Sequence, residues 1–172
     1  QRLGRGLAAT VLRVMGHDDV HVREWARWSS HRLGLEAPGA FVRELPPSLL
    51  GDVLRAYGEA RIMAAMPIVG TYVSAEQRSV REAALEGLRA FGRNAIWVAR
   101  EQYRLRSGED ADEAWSSERT LDELARVLEE TRARTAHEAL AGATARAAEG
   151  DVDGALAALE PLLLRTPDLA GD

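Results

Sequence analysis

The chain repeats itself at a fixed offset. Asp18 to Gly34 reads DDVHVREWARWSSHRLG, and Glu76 to Gly92, 58 residues on, reads EQRSVREAALEGLRAFG. Sliding one onto the other pairs Asp18 with Glu76, Val22-Arg23-Glu24 with Val80-Arg81-Glu82, Ala26 with Ala84, Leu33 with Phe91 and Gly34 with Gly92. Self-similarity at a fixed period marks stacked supersecondary units, each burying its apolar face only against its neighbours. The expected fold is all-α, a right-handed α-solenoid of superhelical helix-pair repeats.

Apolar residues at helical spacing run through almost the whole chain. Leu7, Val11, Leu12 and Met15 stripe a helix over residues 5–15, and the turn after it offers Asp as the N-cap of a helix over 20–33 that stops at Gly34. Further helices are expected over 39–45, 48–57, 60–73, 78–91 and 94–106. The units then fall near 6–34, 35–63 and 64–92, about 29 residues each with the middle one degenerate, which puts the clear copies 58 apart. A polar, glycine-bearing stretch, SGEDAD at 107–112, divides residues 1–108 from a second helical segment, 109–172. That segment is expected to hold helices over 117–133, 136–149 and 152–164.

Composition excludes several chemistries. Cysteine is absent, so disulfides, thiolate zinc sites and cysteine nucleophiles are ruled out within this chain. Lysine is absent too, all 22 basic residues being Arg, which removes Schiff-base chemistry, a pyridoxal anchor and a phosphate-loop lysine. The net charge of −5 is uneven: residues 1–106 hold 16 Arg against 11 acids, and residues 107–172 hold 6 Arg against 16 acids. The longest apolar run, 62–73, contains Pro67 and Gly70 and falls short of the about 20 residues a bilayer-spanning helix needs, so no membrane insertion is expected. A start at Gln1 rather than Met reads as a piece of something longer.

The stretch AMPIVGTYVSAEQRSVREAALEGLRAFG, Ala65 to Gly92, resembles a HEAT repeat: a proline in the first helix, an acidic turn, Val-Arg opening the second helix, and an Ala/Leu-rich second helix ending in Gly. The resemblance extends over about residues 6–106. It implies that Val80 sits at the seam between helices and that Arg81 reaches the acidic side chain of a neighbouring turn. ALAGATARAAEGDVDGALAALEPLLLRTPDLA, Ala139 to Ala170, is similar to a tetratricopeptide repeat over about 136–170. There Gly150-Asp151 would form the inter-helix turn, Ala155 the close helix crossing, Leu159 the second-helix core, and Pro167 would follow it. Ala139 and Arg146 stand where that family carries large rings.

No catalytic site emerges. His17, Asp18, Asp19 and His21 crowd one turn with metal-ligand chemistry, but the copy 58 residues on has no His there, which favours a repeat-joining turn. His137-Glu138 lacks a second His four residues later, so it is no zincin helix. Nucleophile-elbow, phosphate-loop and dinucleotide-binding motifs are missing. No cofactor or metal is expected. The implied function is protein–protein interaction, with this chain a scaffold or adaptor segment of a larger protein, its second helices lining a concave face. The candidate contact residues are Glu24, Arg27, Trp28 and His31, with their copies Glu82, Glu86 and Arg89. Trp28 matches Glu86 and should face water, whereas Trp25 matches Ala83 and should be core. Trp97, Tyr103 and Trp115 should seal the junction between the two segments. The alternative is nucleic-acid binding by the Arg-bearing first segment, weakened by the Arg-Glu alternation along its helices.

Overall fold

A computed structural model describes residues 6–165, with side chains to residue 160. The described residues are all-helical, without a strand. Nine α-helices follow in order: α1 (Ala8–Val14), α2 (Val20–Leu33), α3 (Pro38–Arg43), α4 (Pro47–Glu59), α5 (Met66–Thr71), α6 (Arg78–Ala90), α7 (Ile96–Ser107), α8 (Ser117–Ala148) and α9 (Val152–Arg165). Short 3₁₀ turns at Met63–Ala65, Tyr72–Ser74 and Gly92–Ala95 join the middle ones.

The packing runs as a succession. Helix α2 packs on α1, α1 on α4, α4 on α6, α6 and α7 on α8, and α9 on α8. One continuous core follows it, from Leu12 through Leu54, Tyr57, Val69 and Leu88 to Leu121 and Leu124, all buried. Its closest approach is the α4–α6 crossing, where glycines face each other. A Cβ at Gly58 would lie 2.8 Å from the Gly87 Cα, and one at Gly87 would lie 2.6 Å from the Leu54 carbonyl oxygen. Only glycine lets the two backbones come this near. Tyr57, on the same helix, is fully buried and donates its hydroxyl to the Leu35 carbonyl at 3.1 Å; burial pushes its phenol pKa up.

Three expectations about helix boundaries fail. The helix expected over 60–73 is broken into a 3₁₀ turn, the six-residue α5 and another 3₁₀ turn. Arg61 sits at φ 51°, outside the helical region, and Pro67 can occupy only the first turn of α5 because it has no N–H to donate. The helix expected over 48–57 runs on through Gly58 to Glu59. The two helices expected over 117–133 and 136–149 are one helix of 32 residues, about 48 Å long. Their expected boundary falls within TRARTAH, residues 131–137, with no Gly or Pro to break a helix built largely of Ala, Arg and Glu. The first half of α8 is tied into the core by Leu121, Leu124 and Leu128; beyond it, among the described side chains of α8 and α9, the buried ones are Ala143 and Ala155.

Candidate interaction face

The turns before α2 and α6 are built alike. In α2, Arg23 donates from Nη1 to the carbonyls of His17 and Asp18, both at 2.7 Å. In α6, Arg81 donates from Nη1 to the carbonyls of Ala75 at 3.2 Å and Glu76 at 2.7 Å. The arginine holds the turn before its own helix through peptide oxygens, rather than an acidic side chain of a neighbouring turn as the resemblance implies. The nearest carboxylate described for Arg81 is that of Glu129, at 3.9 Å. Arg132 of α8 donates to the same Ala75 carbonyl at 2.9 Å, so two guanidiniums hold this turn against the succession. Burial lowers the Arg81 pKa from its usual value, and Glu129 and Glu82 oppose that shift.

Asp19 caps α2: its Oδ1 accepts from the N–H of His21 at 2.8 Å and of Val22 at 3.3 Å, while His17 Nδ1 accepts from Asp19 N–H. The carboxylate is occupied by the helix start. Among the described residues no cluster of three or more His, Asp or Glu side chains could hold a metal ion. His137 and Glu138 lie on the exposed stretch of α8.

All seven candidate contact residues are exposed, but they fall into two chemically different groups. On α6, Glu82 pairs with Arg78 at 2.7 Å, Glu86 with Arg55 of α4, and Arg89 with Asp122 of α8 at 2.8 Å. Together with Arg13–Glu59 between α1 and α4 at 2.7 Å, these form a ladder of ion pairs linking α1, α4, α6 and α8. A shallow open cleft of ≈ 370 Å³ lies at its end, between Arg89 and Arg93 on one side and Ser116 to Glu118 on the other. The charges of α6 are thus committed within the molecule.

Helix α2 is different. The side chains of Glu24, Arg27 and His31 make no hydrogen bond or ion pair among the described residues. Trp28 is 58% exposed, and the Arg32 guanidinium stacks over its ring at 4.8 Å from the centroid. Trp25, expected in the core, is 54% exposed. The position matched to it 58 residues on, Ala83, is fully buried. The reason lies in the neighbours. Ala83 faces Gly51 of α4, whereas α2 packs chiefly on the short α1 and buries only Ala26 and Ser30 among its own residues. His21, Trp25, Trp28 and Arg32 follow one another at spacings of three and four along α2, which places them on one face.

At the junction, Tyr103 and Trp115 meet edge to face at 5.6 Å between centroids, as expected of a seal. Trp97 does not take part, being 52% exposed on α7. Sequence reasoning missed that exposure; the only available signal was the charged company of Trp97 on its own helix. Among the described residues no helix is long and apolar enough to cross a membrane.

The described residues thus form an all-helical fold in which Trp25 and Trp28 of α2 stand exposed on one face. Compared with protein families, with curated proteins and with solved structures, the chain matches none.

Proposed function

We propose that this chain is a scaffold or adaptor segment that binds a protein through the α2 face, and that its helices form a right-handed superhelical array, HEAT-like to about residue 108 and tetratricopeptide-like beyond. Support for the repeat reading comes from the shared closure of the turns before α2 and α6 by Arg23 and Arg81. The binding reading is carried by one observation: Trp28, stacked under Arg32, stands exposed beside Trp25 on a helix whose Glu24, Arg27 and His31 are unengaged. Tryptophan and arginine are the residues that dominate binding energy when a partner desolvates them. Of the seven contact residues, Glu24, Arg27, Trp28 and His31 form the proposed surface, whereas Glu82, Glu86 and Arg89, on α6, are engaged in internal ion pairs. The test is capture from a nuclease-treated lysate with wild type and Trp28→Ala/Arg27→Glu as baits. The reading expects a protein held by the first and lost by the second. Material retained equally by both, or released by nuclease, would overturn it.

A further inference from the structure

We draw no further inference here: the strongest candidate, the shallow cleft between the end of α6 and the start of α8, is a helix N-terminus beside two exposed arginines, of which Arg89 is already paired with Asp122, and nothing else among the described residues points to what it would hold.

Discussion

Arg23 and Arg81, 58 residues apart in the chain, do the same thing to the turn behind them: each guanidinium spans the carbonyls five and six residues earlier. A sequence repeat is thus also a repeat of local geometry. The two differ in burial, since Arg81 is 7% exposed and enclosed by α8 whereas Arg23 is half-buried at the end of the molecule. Charged hydrogen bonds in enclosed positions are worth about 1.5–3 kcal/mol, more than the same bonds in water. Arg81→Ala is therefore expected to lower unfolding stability by roughly that amount, and Arg23→Ala by clearly less, as read from urea melts of the two variants side by side.

The α4–α6 crossing gives a sharper contrast. Gly87→Ala places a methyl 2.6 Å from the Leu54 carbonyl oxygen, and forcing the backbones apart should cost about 1–3 kcal/mol. Gly142→Ala, inside α8 with nothing within 4 Å, should instead stabilise by about 1 kcal/mol through helix propensity. Opposite shifts of the thermal midpoint are the expected outcome.

Removing one oxygen from the core isolates a single bond. Tyr57→Phe keeps the ring in place but leaves the buried Leu35 carbonyl without its donor, so a loss of about 1 kcal/mol is expected in chemical denaturation.

The two tryptophans of α2 should behave alike. Both project from an uncovered face, so Trp25→Ala and Trp28→Ala are each expected to change stability by no more than about 0.5 kcal/mol. Leu54→Ala, fully buried, should cost about 2–5 kcal/mol in the same assay. Periodicity alone predicts a core-sized loss for Trp25, about 3–5 kcal/mol, and unequal losses for the pair.

That discrepancy shows how far sequence reaches here. Helical class was legible throughout because apolar residues recur at three and four, and α2 ends at the residues its Asp19 cap and Gly34 stop announce, the latter at φ 72°. The exposed positions of all seven contact residues were legible from the alignment of the two copies. Trp25 was not, because burial depends on whether a neighbouring helix arrives, and the pattern within α2 carries no word of that. The same holds for charge: nothing in the spacing of Glu86 or Arg89 reveals that Arg55 and Asp122 lie opposite them. The unbroken α8 was missed for a different reason, the expectation of a repeat-length helix overriding the absence of any breaker between Glu130 and Glu138.

If α2, rather than α6, is the surface that meets a protein, photocrosslinking reads it directly, with benzoylphenylalanine in place of Glu24 or His31, flanking Trp28, and separately in place of Glu82. Nuclease-resistant protein adducts are expected from positions 24 and 31 and none from 82. Adducts from 82 alone, or adducts at 24 and 31 that nuclease removes, would contradict it.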